Sequence, residues 1–181
     1  MTRIPPVDPA DFTPEQSKLV GEWTHLEFSR VLINSTRMYG TFVPWLRELI
    51  AETALPVRDR QIVCLRVLEL CGDVYEKTHH IVISRKCGLG DPEIMDFIAG
   101  EGPSLSDDDR AVIAACDELH EDQRVSDGTW ALLAGRYSQE QLMELVFLAG
   151  CYQTMGMLTK SFEIALEPDL ESFNALRSYA Q

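Results

Sequence analysis

Residues 58–89 decide the fold and read R-D-R-Q-I-V-C-L-R-V-L-E-L-C-G-D-V-Y-E-K-T-H-H-I-V-I-S-R-K-C-G-L. The pattern predicts two helices joined at Cys71-Gly72-Asp73. The first helix begins at Pro56 and is apolar over much of its circumference, which is typical of a central helix. Its apolar positions are Ile62, Leu65, Val67, Leu68 and Leu70.

The second helix contains the candidate catalytic residues. Glu76 and His80 lie four residues apart, so a helix places them one above the other on the same face. Tyr75 and His79 make a parallel pair one step around the helix, and the apolar residues 81–83 follow directly. A carboxylate beside an imidazole in a partly dry setting can act as a proton-transfer unit, because each group shifts the protonation of the other. The alternative interpretation is a surface ion pair of small energetic consequence.

The motif Y-E-x-x-H-H followed by G-L, after an R-x-R-x-I-x-x-L-R-V helix, resembles the carboxymuconolactone decarboxylase family of the alkylhydroperoxidase D-like superfamily. The matching positions are Tyr75, Glu76, His80, Ser84, Gly88 and Leu89. The stretches V-S-D-G-T-W (125–130) and G-C-Y-Q (150–153) are similar to later landmarks of the family. The resemblance covers roughly residues 46–168.

Three departures from the family pattern concern the site. Lys77 replaces the usual tryptophan, and Gln61 stands where a glutamate is expected. The peroxidase branch carries C-x-x-C-x-x-x-H, and alignment on His80 puts Asp73 and Glu76 at the two cysteine positions. The chain therefore resembles the branch with a Y-E-x-x-H motif in place of C-x-x-C.

The resemblance implies an alkylhydroperoxidase D-like helical bundle and a homotrimer or homohexamer. It also implies a carboxy-lyase that transfers protons in a small lactone or oxo-acid without metal or organic cofactor. His80 would be the main acid/base, with Glu76 orienting it or sharing its proton. Tyr75 would donate a hydrogen bond to the oxyanion that develops as CO₂ is lost.

Five further residues are candidates for substrate binding. Arg58 and Arg66 on the first helix could hold a substrate carboxylate in a planar guanidinium fork, although solvated charge or ion pairing also explains them. Gln61 could contribute a hydrogen bond to the same pocket, and His79 lies beside the acid/base pair. Cys87, two turns beyond His80, is the best placed thiol.

Two alternative functions remain open at this stage. Peroxide reduction through Cys87 is the first, although the chain offers no nearby resolving cysteine. The second is an oligomeric binding protein that has lost activity, which the neutral amide of Gln61 favours because an amide cannot act as a base.

Composition and charge restrict the classes of partner that the protein can bind. A single domain is the usual expectation for 181 residues, and the net charge of −13 argues against nucleic acid and anionic membranes as partners. No apolar run reaches the length of a membrane span, and the first residues lack a signal core, so we expect a cytoplasmic protein. His79 and His80 point about 100° apart on a helix and cannot easily chelate one ion, so no metal is expected.

The remaining chain reads as further helices, so the prediction is an all-α domain at 13–168 between an extended arm at 1–12 and a tail at 169–181. Caps predict one helix from Thr13 into the low thirties and another from Pro44 through Glu52. Later caps predict helices from Asp91-Pro92 to Ala99, from Ser106, from Ser126, and from Ser138 to near Glu167-Pro168.

Overall fold

The computed structural model describes residues 2–167, which contain nine α-helices, two 3-10 helices and no strand. The tail predicted at 169–181 lies outside the described residues. The α-helices are α1 (Pro14–Val20), α2 (Glu27–Leu32), α3 (Thr36–Ala51), α4 (Val57–Leu70), α5 (Val74–Lys86), α6 (Asp91–Ala99), α7 (Asp107–Glu121), α8 (Asp127–Ala134) and α9 (Gln139–Phe162). The 3-10 helices are Pro9–Asp11 and Gly21–His25. The all-α prediction is therefore confirmed.

Helix α4 is the centre of the bundle. It packs against α5, α6, α7 and α9. Its apolar residues from 62 to 68 have no exposed surface, as expected for a helix that is apolar on most sides. The prediction of a central helix that begins after Pro56 is confirmed.

The turn between α4 and α5 fixes the start of the second helix. Asp73 caps α5 by accepting hydrogen bonds from the backbone N–H groups of Tyr75 (2.9 Å) and Glu76 (3.3 Å). Its other oxygen accepts from the Thr159 hydroxyl on α9 at 2.8 Å. Helix α9 approaches closely here, because a Cβ at Gly156 would stand 3.1 Å from the Cβ of the cysteine at 71. The turn is thus held on both sides, and the register of α5 is defined.

The single helix predicted from Thr13 into the low thirties is wrong. The capping box at Thr13 is present, but the helix ends at Val20 because Gly21 adopts φ 56°. A left-handed residue cannot continue a right-handed helix, so a 3-10 turn follows and α2 begins afresh at Glu27. This kink brings Trp23 and Phe28 into the core.

The helix predicted to open at Pro44 begins eight residues earlier, at Thr36. Pro44 therefore lies inside α3, where it removes one backbone donor. Burial outweighs that cost, since Tyr39, Val43, Leu46 and Ile50 form a continuous buried stripe along the helix.

Later helix starts were predicted well. Ser106, Ser126 and Ser138 are N-caps whose hydroxyls accept backbone N–H groups three residues on. At α6 the cap is Gly90, and Asp91 is already the first helical residue.

Helix α9 ends at Phe162, five residues before the predicted end near Glu167. Glu163 adopts the left-handed conformation with φ 53°, and the N–H of buried Ile164 bonds back to the carbonyl of residue 159 at 3.0 Å. The helix is long and apolar enough to cross a membrane by length and composition alone, with a mean hydropathy of 1.2 in its most apolar window. Half of that window is buried inside the bundle.

Candidate functional site

A small cavity of about 30 Å³ lies between α5, α9 and the N-terminal helices. A water molecule needs about 10–15 Å³ by this measure, so the cavity has room for water but not for an organic substrate. Its polar lining consists of Tyr75, Glu76, His79, His80 and Tyr152. Its apolar lining consists of Trp23, Leu26, Phe28, Leu46, Ile50, Ile83 and Met155. The four-residue spacing of Glu76 and His80 thus places both on the cavity side of α5.

His80 is held by both ring nitrogens. Its Nδ1 lies 2.9 Å from Gln61 Oε1, which also accepts the Ser84 hydroxyl at 3.0 Å. Its Nε2 lies 2.7 Å from the Tyr152 hydroxyl on α9, whose ring stands edge-on at 4.8 Å. Because an amide oxygen only accepts, Nδ1 carries the proton, and Nε2 accepts from Tyr152.

The environment of His80 favours the neutral ring. Burial lowers its pKa to about 3, with smaller contributions from the charges of His79 and Arg60. At neutral pH the ring is therefore an uncharged relay between Gln61 and Tyr152 rather than an imidazolium. A ring with so low a pKa is a weak base.

The pKa of Glu76 is shifted in the opposite direction from that of His80. Burial raises the pKa of its carboxyl group to about 8; His79 lowers it, and Asp73 and Glu167 raise it further. The carboxyl group makes no hydrogen bond to any residue in 2–167, and it faces the cavity. It is therefore a neutral acid at pH 7 with a pKa close to the working pH of a general acid or base.

The carboxylate of Glu167 contacts two side chains that line the cavity, Tyr75 and His79. Its Oε1 accepts the Tyr75 hydroxyl at 2.5 Å and the backbone N–H of Glu27 at 2.6 Å. Its Oε2 lies 3.1 Å from His79 Nε2, but neither atom has a hydrogen-bond alignment with the other. The contact between them is therefore an ion pair of poor geometry.

The protonation states of this cluster are consistent with an ion pair. For His79, burial lowers the pKa, but Glu167, Glu76 and the Tyr75 carbonyl (2.8 Å from Nδ1) outweigh burial and raise it. For Glu167, burial raises the pKa, and His79, Tyr75 and the Glu27 N–H outweigh burial and lower it. Burial and the two nearby glutamates raise the pKa of the Tyr75 hydroxyl, which stays a donor.

The two predicted substrate-binding arginines do not line the cavity. Arg58 forms a bidentate pair with Asp109 at 3.0 and 3.1 Å and stacks over Phe97. Arg66 donates to Asp117 at 2.6 Å and to the carbonyl of residue 98 at 2.9 Å. Both tie α4 to neighbouring helices.

The thiols near the site are protonated. Cys87 ends α5 and is half-buried; burial raises its pKa, although Arg60 beside it lowers it. Cys64 of α4 contacts Tyr152, and burial raises its pKa to about 12. None of the cysteines among residues 2–167 forms a disulfide bond. No group of three His, Cys, Asp or Glu side chains in that range is arranged to hold a metal ion.

Sequence reasoning missed the partners that come from distant parts of the chain. Tyr152 lies within the G-C-Y-Q stretch and is not among the candidate site residues, although a buried tyrosine needs a partner for its hydroxyl. That requirement is the one signal that could have singled it out. Nothing in the local sequence marks Glu167, which reaches the site only because α9 ends early.

No protein-family model matches the chain, and no curated protein matches it in sequence. Solved structures do share its fold. A protein of unknown function from Agrobacterium tumefaciens, described as a putative antioxidant defence protein AhpD, is 17% identical with a TM-score of 0.70 over 75% of this chain and 94% of its own. An uncharacterized peroxidase-related protein with an alkylhydroperoxidase AhpD core, from Ralstonia eutropha JMP134, is 10% identical with a TM-score of 0.77 over 97% and 96%.

A third structure shows the range of chemistry on this fold. The debrominase Bmp8, as a cysteine-to-alanine variant in complex with 2,3,4-tribromopyrrole, is 13% identical with a TM-score of 0.79 over 100% of this chain and 98% of its own. At these identities the comparisons establish the fold alone. The chain therefore has an alkylhydroperoxidase D-like helical fold.

Proposed function

We propose that this protein belongs to the alkylhydroperoxidase D-like superfamily and catalyses cofactor-independent proton transfer, as in decarboxylation, on a small lactone or oxo-acid. The observation that carries the proposal is the carboxyl group of Glu76, which has no hydrogen-bond partner within residues 2–167 and is buried against the cavity with its pKa raised to about 8. A carboxylic acid kept neutral at pH 7 can give its proton to a carbanion. The carboxymuconolactone decarboxylase resemblance of the Y-E-x-x-H motif supports the same chemistry.

In the proposed reaction the substrate carboxylate leaves as CO₂, and the electron pair of the broken C–C bond passes into the adjacent carbonyl as an enolate. The neutral carboxyl group of Glu76 then protonates the carbon and becomes a carboxylate, which takes a proton back from water. The hydroxyl protons of Tyr75 and Tyr152 at the cavity are already donated to Glu167 and His80, so neither stabilises the enolate oxygen while those bonds stand. His80 keeps Tyr152 in place through its 2.7 Å contact.

This division of roles differs from the expectation that His80 is the main acid/base, because both of its ring nitrogens are engaged. The two versions predict different pH profiles. With Glu76 as the acid, kcat/KM falls as the pH rises through about 8 and shows no inflection near 6.5. An inflection near the ordinary histidine pKa of about 6.5 would return the role to His80.

The test is turnover of a panel of small lactones and oxo-acids by the parent protein, Glu76→Gln and His80→Gln. Glu76→Gln should lower the rate by about 10²-fold or more, the usual size of a general acid/base contribution. Glu140→Gln removes an exposed carboxylate on α9 and should react at the parent rate. A Glu76→Gln variant as fast as the parent would reject the proposal.

Peroxide reduction is the alternative that the peroxidase-related structures suggest. Raised pKa values disfavour it, because burial keeps the thiols of buried Cys64 and half-buried Cys87 protonated and the thiolate is the reactive form. An inactive binding protein is the second alternative, and turnover of any member of the panel would exclude it.

Assembly and location belong to the same proposal. Met143, Val146, Phe147 and Met157 are exposed apolar residues of α9, and their spacing puts them along one face. We propose that this face joins copies of the chain into a homotrimer or homohexamer, and that the assembly is a soluble enzyme of the cytoplasm. Light scattering that gives the 20.4 kDa monomer mass would reject the oligomer.

A further inference from the structure

The carboxylate of Glu167 lies in a site built from three donors. The backbone N–H of Glu27 and the Tyr75 hydroxyl both bind Oε1, at 2.6 and 2.5 Å. The imidazole of His79 stands 3.1 Å from Oε2. Glu167 is 6% exposed and His79 is 4% exposed, so the carboxylate is almost completely enclosed. A hydroxyl, a backbone N–H and an imidazole whose pKa is raised by its neighbours suit a carboxylate whatever molecule carries it.

Two features show that Glu167 is an imperfect occupant of this site. His79 Nε2 and Glu167 Oε2 are both buried without an aligned hydrogen bond, so one of the three donors is poorly used. The segment that carries Glu167 follows the end of α9 and is anchored by few side chains. Within residues 163–167 only Ile164 and Glu167 are buried.

The same donors border the candidate active site. Tyr75 and His79 line the cavity, and the cavity holds about 30 Å³, which is too small for a lactone or an oxo-acid. A substrate must therefore displace a side chain in order to enter. Withdrawal of Glu167 would free three carboxylate donors, two of which, Tyr75 and His79, line the cavity.

We propose that the Glu27 N–H, the Tyr75 hydroxyl and His79 form a binding site for the carboxylate of a small organic acid, which Glu167 fills in the closed protein. This inference rests on the proposed function for the statement that the acid is the substrate. The negative charge of Glu167 is among the causes that raise the pKa of Glu76. A bound carboxylate carries the same charge and would raise that pKa in place of Glu167. The proton donor thus stays protonated when the substrate replaces the internal carboxylate.

The test uses acetate as the probe and Glu167→Ala as the variant, since acetate has the size of the carboxymethyl end that the substitution removes. Thermal unfolding is followed in sodium acetate and in sodium chloride at equal ionic strength. Acetate should raise the unfolding midpoint of Glu167→Ala with saturation, because a ligand of the folded state stabilises it by mass action. The matched control is Glu163→Ala, which removes a half-exposed carboxylate of the same segment and leaves the buried site filled.

The Kd for acetate should be at least about tenfold lower for Glu167→Ala than for Glu163→Ala. In the double variant Glu167→Ala/Tyr75→Phe, the Kd for acetate should rise about tenfold above that of Glu167→Ala, which is the loss expected for one hydrogen bond to a charged group. Equal responses of Glu167→Ala to acetate and chloride would overturn the proposal. If Glu167→Ala is unfolded in chloride, recovery of helical circular dichroism with acetate supports the site, and no recovery at any acetate concentration overturns it. Because this experiment measures binding alone, its failure leaves the turnover test of Glu76 standing, and a failure of turnover leaves the binding result standing.

Discussion

Replacing Glu76 by Gln should change how the stability of this protein depends on pH. The carboxyl group has a pKa of about 8 in the folded protein and about 4.5 when unfolded. Between these two values the folded state keeps a proton that the unfolded state has lost. The free energy of unfolding therefore falls as the pH rises from about 4.5 through 8 and levels off above it.

The size of the effect follows from the two pKa values. A pKa difference of one unit between the folded and unfolded states is worth about 1.4 kcal/mol, so a difference of about 3.5 units corresponds to about 5 kcal/mol. The amide introduced by Glu76→Gln is neutral at every pH, so the variant does not lose stability at this position as the pH rises. It also keeps the volume of the side chain, so the two proteins should have similar stability near pH 4.5. The variant should then become more stable than the parent by a margin that grows to about 5 kcal/mol above pH 8.

The assay is urea unfolding at fixed protein concentration, followed by circular dichroism, at intervals from pH 4.5 to 9. The destabilising protonation of His80, whose pKa is lowered to about 3, is common to both proteins and cancels in the difference. Glu140→Gln removes an exposed carboxylate and should give a nearly constant difference across the range. Parallel stability curves for the parent and Glu76→Gln would refute the reasoning, because they would mean that Glu76 is ionised in the fold as readily as in the unfolded chain.

Four further predictions follow from the site and its surroundings. Tyr152→Phe leaves His80 Nε2 buried without a donor and should cost about 1–3 kcal/mol in urea unfolding; a loss below about 0.5 kcal/mol would contradict the network. Gln61→Glu puts a carboxylate 2.9 Å from Nδ1 and should raise the pKa of His80 by about one unit or more in an NMR titration, and an unchanged pKa would contradict that contact. Phe147→Glu puts a charge on the exposed face of α9 and should shift light scattering toward the 20.4 kDa monomer, whereas an unchanged assembly mass would place the interface elsewhere. Cys87 should show neither sulfenate nor disulfide by mass spectrometry after brief peroxide treatment, and stoichiometric oxidation would restore the peroxidase interpretation.

Local signals were sufficient to predict most of the fold. The apolar circumference of α4 indicated a central helix, and serine caps marked the starts of α7, α8 and α9. The failures arose where tertiary structure overrides local preference. Gly21 breaks the N-terminal helix through its positive φ, and Pro44 lies inside α3 because a buried stripe outweighs one missing hydrogen bond.

Spacing alone placed Glu76 and His80 on one face, because four residues make about one helical turn. The chemical states of the two groups could not be predicted in this way. They depend on burial and on partners far away in sequence: Tyr152 lies 72 residues from His80, and Glu167 lies 92 residues from Tyr75. Such contacts depend on how the helices pack, so they become visible only in the folded chain.

The proposed chemistry depends on Glu76 being a neutral acid at the cavity at neutral pH. The most direct test is a ¹³C NMR titration of the glutamate side-chain carbons in the folded protein, with the Glu76→Gln spectrum used to assign the Glu76 resonance. We expect a midpoint of about 8 for that carbon. A midpoint near the ordinary value of 4.5 would contradict it, because Glu76 would then be a carboxylate without a proton to give.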